Sequence, residues 1–547
     1  MSPSSSCHRG LSGLEGSPAL DRSDVLLAAA TALLSLALYV RTMAPGLLPG
    51  DSGEFQTMAI LLGHTHPTGY PIYLILAKLI SLLPIGDAIW RVNLFSALMA
   101  ALTVAGVHAA GRLLTERRAV AASGALALAV SPTFWSQAII AEVYTPGAAF
   151  LIWILVALLS WDATNRPHAL LVAGLLGGLS LGVHMSVALL VPAVLVFVVA
   201  TLAAKRAAVS IPKSLTSALG GALVGLALLV LVFLLLDRNN PRASYFHSVI
   251  EPSRSAWGLS VDQIDGPIDR LIFGWSARQF RSFMFADPTA VMPDLAGRYW
   301  RTLPSELAWP LIALVCIGAI GLLVRRPRAA ALMLIALAAQ WLFTFNYEIW
   351  DLYVFFIPSY ALLAVLAVAG LGVVVGIVGR LTSRWGDSCV GADIVLAVLV
   401  LIVAVWHSFQ PRLQAVRQGS VAFTSNDLEE YPISPNSSSG DVQALLRLSL
   451  THAPQNAIVF LDRGLLCPSY YVAHIELGRT DLIFVETYPA DDQDGLADSV
   501  LEFIATHLAE QPVLVSDRLP ELYASGHHLV PFRAGPKRLY RVVQRDE

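Results

Sequence analysis

Two carboxylates, Asp51 and Glu54, stand three residues apart in the segment PGDSGEF. Residues at this spacing share one face of a helix. One carboxylate could then take a proton from an acceptor hydroxyl, while the other holds a cation, fixes the acceptor or tunes its neighbour's pKa. A purely structural interpretation is also open, because Asp51 at the N-cap and Glu54 at N3, after Pro49-Gly50, would form a capping box.

Two histidines and two tyrosines follow in GHTHPTGYPIY: His64, His66, Tyr70 and Tyr73. The i,i+2 spacing of the histidines is too close for two metal ligands on one helix face, so we expect no metal site here. Pro67, Gly69 and Pro71 favour a rigid turn in which the histidines bond to backbone. The functional alternative is that these four side chains contact a sugar or a phosphate.

Other polar residues interrupt apolar surroundings in AEVYTP, GVHMS and NYEIWD. Ionisable groups at a membrane are costly and indicate function. Glu142 also suits a helix start, where the dipole favours a carboxylate, and His184 also suits a core position. We expect one polar site at the outer membrane surface, in which the substrate contacts from these segments are Glu142, Tyr144, His184, Tyr347 and Asp351.

Arginines are frequent between residues 237 and 303. Long loops escape the charge bias of short ones, so these charges can be without meaning. Otherwise one or two of them bind a phosphate, for which the planar guanidinium offers bidentate geometry. The candidates are Arg242, Arg278 and Arg281.

The composition defines the class of protein that must position these residues. The chain has 547 residues, of which 56% are hydrophobic and 14% charged, against about 25% charged in soluble domains. A water-soluble globule is excluded, and the net charge of −3 gives nucleic acid no support as a partner. The four scattered cysteines fit neither a disulfide framework nor a zinc cluster, so we expect no structural metal on cysteine.

Apolar runs near the ~20 residues that cross a bilayer predict about eleven transmembrane helices. The stretch 70–84 is shorter and carries Lys78, which favours an in-plane or re-entrant helix. The predicted spans are 24–43, 91–112, 119–138, 146–162, 168–183, 187–204, 216–236, 305–324, 329–345, 353–378 and 391–408.

Orientation follows from the short loops, because lysine and arginine collect on the cytoplasmic side. Every second loop is basic, whereas the loops near 139–145, 184–186 and 346–352 contain neither residue. This pattern predicts a multi-pass protein of the plasma membrane with a cytoplasmic N-terminus and an extracytoplasmic C-terminus. The predicted parts are a tail (1–23), a transmembrane domain (24–408) with outside loops near 44–90 and 237–303, a linker (409–440) and a soluble domain (441–547).

The soluble domain alternates helix-like runs, Asp441–Thr451 and Leu496–Ala509, with the strand-like runs AIVFL, DLIFVE, PVLVS and RLYRVV. This alternation predicts a small α/β domain outside the membrane. It contains no GxGxxG, P-loop or GxSxG, so no nucleotide or hydrolase chemistry is indicated. We expect an accessory role, with contact to the acceptor or a partner as the alternative.

Several segments together resemble a known family: residues 50–79, AEVYTP, GLSLGVHM, NYEIWDLYVFFIPSY, NAIVFLDRG and ELGRTDLIFVE. They are similar to the bacterial branch of a membrane family that includes a eukaryotic transmembrane protein O-mannosyltransferase acting on plexin-type receptors. The resemblance implies the C-type glycosyltransferase fold and transfer of mannose or a similar hexose from a polyprenyl-phosphate carrier. It also implies an acidic base in the first outside loop, at Asp51, with Glu54 in the same motif. Supporting matches fall on His66, Tyr70, Glu142, Tyr144, His184 and Asp351.

The expected reaction is inverting transfer on the outer face of the membrane, to a hydroxyl of a protein, glycan or lipid acceptor. The only cofactor expected is the lipid-linked donor, with a cationic group stabilising the leaving phosphate. A divalent metal is possible but not expected. The alternatives are a lipid or solute transporter or flippase, for which the chain lacks internal repeats and mid-helix charges, and a non-catalytic scaffold.

Overall fold

The computed structural model describes residues 19–260, 263–382, 389–417, 439–488, 495–534 and 537–544. Most of the predicted tail and linker therefore lies outside the described residues, as does Cys7. Long helices dominate the first 417 residues, as their continuous apolar runs require. Helices α1 to α8 are Arg22–Thr42, Gly50–Leu61, Pro71–Ser81, Ala88–Thr115, Arg118–Ala129, Pro132–Ala138, Tyr144–Thr164 and Pro167–Ser180. Helices α9 to α16 are Val191–Ala204, Ile211–Asn239, Pro267–Trp275, Pro288–Glu306, Trp309–Arg325, Pro327–Thr344, Ile357–Thr382 and Cys389–Arg417.

Among the described residues, eight helices are long and apolar enough to cross a membrane, or up to ten if two bent pairs each form one span. The chain is thus a multi-pass membrane protein, and each of the eleven predicted runs contains a helix. The predicted span 168–183 is shorter than expected, because α8 has only 14 residues. Helix α3 has 11 residues, in agreement with the prediction that this stretch does not span.

Two predicted spans are bent. The run 119–138 consists of α5 and α6, which meet at 71°. Pro132 begins α6 and has no N–H to continue the helix before it. The carboxylate of Glu306 accepts hydrogen bonds from Ser131 Oγ at 2.8 Å and Thr133 N at 3.1 Å, so it satisfies the polar groups freed by the break. The run 305–324 is α13, which starts at Trp309 and makes 110° with α12.

The chain divides into two compact units. One contains most of the long apolar helices and comprises Met1–Met43, Ser96–Leu229 and Ser282–Ser434. The other combines the first predicted outside loop, part of the second and the soluble domain, and comprises Ala44–Phe95, Val230–Arg281 and Pro435–Glu547. The soluble domain therefore belongs to the same unit as Asp51.

The soluble domain is an α/β domain, as predicted. Its helices α17 to α20 are Ser439–Thr451, Arg463–Tyr470, Asp498–Leu508 and Pro520–Ala524, and its strands β1 to β5 are Ile458–Leu461, Ile483–Glu486, Val513–Val515, His527–Ala534 and Lys537–Gln544. The strand order is β2-β1-β3-β5-β4, with β1 parallel to β2 and β3 and with β5 antiparallel to both of its neighbours. Strand β4 was missed in the sequence because it is polar and contains Pro531, which an edge strand tolerates.

Candidate functional site

Helix α2 presents the two carboxylates of the first motif. The helix begins at Gly50, and its N-cap, Pro49, makes no side-chain cap hydrogen bond. Asp51 therefore lies inside the first turn, where the helix dipole favours a negative charge. The capping-box interpretation of Asp51 and Glu54 is wrong, because both carboxylates bond to groups outside α2.

Glu54 is buried and binds His66 through both of its oxygens. The backbone N–H of His66 donates to Oε1 at 2.7 Å, and Nδ1 of the same residue lies 2.6 Å from Oε2. The turn after this histidine passes through Gly69 with a φ of +83°, a conformation that favours glycine. The ring of Tyr70 then packs 5.2 Å from His66 and 5.3 Å from Phe55. These contacts fix the imidazole beside α2.

Asp51 pairs with an arginine from the soluble domain. Nη2 of Arg463 lies 3.1 Å from Oδ1 of Asp51 and 4.0 Å from Oε2 of Glu54. Nε2 of His66 lies 4.0 Å from Oδ2 of Asp51. The side chains of Asp51 and Arg463 are 37% and 26% exposed, whereas those of Glu54 and His66 are 7% and 6% exposed. The site thus consists of an accessible pair, Asp51 and Arg463, beside a buried pair, Glu54 and His66.

The charges of the four side chains stabilise one another. Burial raises the pKa of Asp51, but the charges of Arg463 and His66 outweigh burial and hold that pKa below its usual value. Burial lowers the pKa of His66, yet the nearby carboxylates, Glu54 first, raise it above its ordinary value. Asp51 is therefore ionised near neutral pH, as a general base must be.

Helix α18 carries Arg463 at its first position. The N-cap residue Asp462 accepts a hydrogen bond from the N–H of Leu465 at 3.1 Å, which fixes the helix start. Further along α18, the carbonyl of Cys467 accepts a hydrogen bond from Thr57 Oγ1 of α2 at 3.0 Å. The two helices therefore pack directly on each other, and this packing positions Arg463 beside Asp51.

Sequence reasoning missed Arg463. The segment NAIVFLDRG contributes to the family resemblance, but none of its residues received a role. A usable signal exists, because Arg463 follows the carboxyl end of β1, a parallel strand, and such strand ends are common binding positions in α/β sheets. The soluble domain therefore does more than the expected accessory role describes, because its Arg463 lies beside the carboxylates of Asp51 and Glu54. We refer to Asp51, Glu54, His66 and Arg463 as the carboxylate cluster.

Two of the expected substrate contacts are fully buried. His64 is fully buried, and its Nε2 lies 3.3 Å from Oδ1 of Asp237, which in turn binds Nε of Arg270 at 2.6 Å. Tyr73 is also fully buried, and its ring packs 4.9 Å from that of Phe55. Their burial gives the expected substrate contact of His64 and Tyr73 no support, and that contact stays a prediction.

The three candidate phosphate-binding arginines are exposed. Nε of Arg281 donates to the carbonyl of Ser276 at 2.9 Å. Among the described residues, neither Arg242, Arg278 nor Arg281 forms an ion pair with Asp51. Their predicted role therefore has no support from a contact with the carboxylates and stays a prediction.

A second polar cluster lies in the other compact unit. The hydroxyl of Tyr144 donates to Oδ2 of Asp351 at 3.0 Å. The ring of Tyr144 lies 5.3 Å from that of His184, and both rings pack 5.5 Å from Phe355. The ring of Tyr347 packs against the same phenylalanine at 5.1 Å. Four of the residues predicted from separate segments are thus brought together.

Glu142, the remaining assignment of that unit, and His184 both have local partners. The backbone of Glu142 exchanges hydrogen bonds with Ser96 Oγ, each at 3.1 Å. Nδ1 of His184 lies 2.6 Å from Ser186 Oγ, and the histidine caps the helical turn Met185–Leu190. His184 therefore has the structural partner that its alternative interpretation required.

Asp51, Glu54 and His66 offer ligand atoms that all lie within 4.8 Å of one another. The set resembles a small metal site in its chemistry. A divalent ion would, however, lie beside the guanidinium of Arg463, and Nδ1 of His66 already bonds to Glu54. The positive charges present balance the two carboxylates, so these residues do not favour a resident metal.

Comparisons with known proteins agree with this architecture. Residues 51–208 match the family described as the N-terminal domain of protein O-mannosyl-transferase TMEM260. The mouse protein O-mannosyl-transferase TMEM260 is 35% identical over 158 residues, a match that covers 26% of this chain and 21% of the mouse protein. The match thus spans about a fifth of that relative, and the match to the family begins at Asp51.

Solved structures are similar over nearly the whole chain. ArnT from Cupriavidus metallidurans bound to undecaprenyl phosphate has a TM-score of 0.52 at 14% identity, covering 96% of this chain and 98% of ArnT. The Archaeoglobus fulgidus oligosaccharyltransferase in the apo form has a TM-score of 0.52 at 14% identity, covering 90% of this chain and 69% of its own. The chain has the C-type glycosyltransferase fold, which confirms the fold expected from the sequence.

Proposed function

We propose that this protein is a membrane glycosyltransferase that moves a hexose such as mannose from a polyprenyl-phosphate carrier to an acceptor hydroxyl. The observation that carries the proposal is the half-exposed carboxylate of Asp51, held ionised in front of the buried His66–Glu54 pair. The match to the O-mannosyl-transferase domain begins at the same residue. We place the site on the outer face of the plasma membrane. Asp51 lies in the first predicted outside loop, and the basic short loops are predicted to lie on the opposite, cytoplasmic side.

In the proposed reaction, Asp51 accepts the proton of the acceptor hydroxyl as its oxygen attacks the anomeric carbon. The bond between that carbon and the phosphate oxygen breaks, and its electron pair leaves with the polyprenyl phosphate. A phosphate is a good leaving group, so no general acid is required. Protein, glycan and lipid hydroxyls all fit this chemistry.

Glu54 acts as a positioning residue in this proposal. Both of its oxygens bond to His66, at 2.7 and 2.6 Å, so they are not directed toward a substrate. A retaining mechanism by double displacement needs a second carboxylate as nucleophile. With one available carboxylate, Asp51, single displacement with inversion is favoured.

The test is transfer from labelled polyprenyl-phosphate mannose to a cell-envelope extract, with purified wild type and Asp51→Asn. We expect transfer by the wild type with inverted anomeric configuration, and loss of about 10²-fold or more in the variant, in the range of general-base catalysis. Asp294→Asn is the matched control, because Asp294 is exposed and pairs only with Arg298 one turn along α12 in the described structure.

A transporter or flippase would give a different result. The wild type would transfer none of several sugars tested, yet would move the donor lipid between the leaflets of a reconstituted vesicle. Equal transfer by Asp51→Asn and the wild type would retain the glycosyltransferase but remove Asp51 as the base.

A further inference from the structure

Arg463 has binding capacity that its contact with Asp51 does not use. A guanidinium carries five N–H donors, and within the described part of the chain the hydrogen bonds of Arg463 go to Asp51 alone. The side chain is 26% exposed, so an anion can reach the remaining donors. Among the arginines and lysines that the structure describes, Arg463 forms the ion pair with Asp51.

We propose that Arg463 binds the phosphate of the lipid-linked donor, and that this phosphate and Asp51 compete for the same guanidinium. The inference rests on the proposed function and adds the donor contact that it lacks. Arginine suits the task because its planar fork matches two phosphate oxygens. The soluble domain thereby contributes to donor binding.

The reaction itself favours a cation at this position. The donor is a phosphodiester with one negative charge, and the leaving polyprenyl phosphate is a monoester that approaches two. A guanidinium at the phosphate therefore interacts more strongly as the glycosidic bond breaks. Interactions that strengthen toward the transition state accelerate the reaction, whereas uniform binding does not.

Because the donor phosphate and Asp51 compete for Arg463, donor binding changes the proton affinity of Asp51. In the structure the guanidinium stabilises the carboxylate of Asp51, which makes that carboxylate a weaker base. A donor phosphate that draws Arg463 away leaves Asp51 with a higher proton affinity. The base is then strongest when the donor is in place, which limits unproductive proton transfer to the free enzyme.

The test measures binding of a short-chain polyprenyl phosphate, which lacks a sugar to transfer, to full-length protein in detergent. Loss of a charge-assisted contact predicts about 10- to 100-fold weaker binding by Arg463→Gln, with Arg463→Lys in between. Asp51→Asn removes the competing charge and is expected to bind severalfold tighter than the wild type. Arg447→Gln is the matched control, because Arg447 pairs with Glu476 in the same domain.

The outcomes separate the two proposals. Binding by Arg463→Gln equal to that of Arg447→Gln, or binding by Asp51→Asn as weak as that of Arg463→Gln, overturns the role of Arg463 but not the glycosyltransferase. Failure of the wild type to bind polyprenyl phosphate overturns the proposed function and this inference with it. If Arg463→Gln does not fold, the lysine variant decides, and binding equal to the wild type then overturns the bidentate contact.

Discussion

Replacing Gly53 with alanine tests whether the packing of α18 on α2 delivers Arg463 to Asp51. A Cβ at position 53 would lie 2.1 Å from the carbonyl oxygen of Leu48 and 2.7 Å from Cγ of Pro468. A backbone carbonyl and a proline ring cannot swing aside. The methyl group must therefore shift the segment that precedes α2, where Leu48 lies, and push away α18, which carries Pro468. Overpacking of this kind costs about 1–3 kcal/mol, which is about a 5- to 150-fold change in the docking equilibrium.

Cys467 provides a native probe of this docking. The residue is 6% exposed on α18, and burial raises the pKa of its thiol. Only the thiolate reacts with maleimide at a useful rate, so labelling requires α18 to move away. With the other three cysteines replaced by serine, we expect Gly53→Ala to accelerate labelling of Cys467 by about 5- to 150-fold and to reduce sugar transfer in parallel.

Gly177→Ala is the control, because a Cβ added at that position of α8 meets no described atom within 4 Å beyond its chain neighbours and its own helix backbone. Its labelling and transfer should match those of the wild type. Labelling of Gly53→Ala at the wild-type rate, in protein that elutes as a single species, would refute the packing argument. Faster labelling with full transfer would confirm the docking and refute its importance for Arg463.

The remaining predictions concern the buried pairs and the metal. Glu54→Gln should lower the Tm, and the decrease should be largest at pH values below 6.5, the ordinary pKa of histidine. The decrease should become smaller as pH rises through the raised pKa of folded His66, because the ion pair stabilises the fold only while the histidine is charged. An equal Tm difference at pH 6 and pH 9 would contradict this. Transfer should survive EDTA, because Arg463 already supplies positive charge at the cluster, and a loss restored by Mg²⁺ or Mn²⁺ would disprove it. Asp237→Asn should destabilise the fold by about 3–5 kcal/mol in denaturant melts, because it breaks the buried pair with Arg270; an unchanged midpoint would count against that role.

The sequence predicted the elements that depend on local patterns. The apolar runs and four of the five strands are visible as continuous or alternating hydrophobic residues, which reflect burial within one segment. The break at Pro132 was missed, because total apolar length was weighed above the proline, which is itself a signal for a helix break. Its stabilising partner, Glu306, lies far away in the sequence.

The site was predictable only in part, for a related reason. The spacing of Asp51 and Glu54 correctly indicated that they share a helix, but Arg463 lies 412 residues beyond Asp51, and no periodicity connects them. Residue type and spacing did not distinguish the two histidines, and only the family resemblance singled out His66. The structure separates them, because His64 faces Asp237 and His66 faces Glu54.

Asp51, Glu54, His66 and Arg463 come from two distant segments, and the soluble domain belongs to the unit that holds Asp51, the proposed base. A general base must be ionised before the reaction and must then accept a proton. A nearby cation lowers the pKa of the carboxylate and favours the first state, so its interaction with the carboxylate has to weaken for the second. A guanidinium from α2 itself would be fixed by the geometry of one helix. Arg463 instead depends on the packing of α18 at Gly53 and on the hydrogen bond from Thr57 to Cys467. Under the proposed function, the position of the soluble domain thereby sets the charge beside Asp51 and gives the domain a direct part in the reaction.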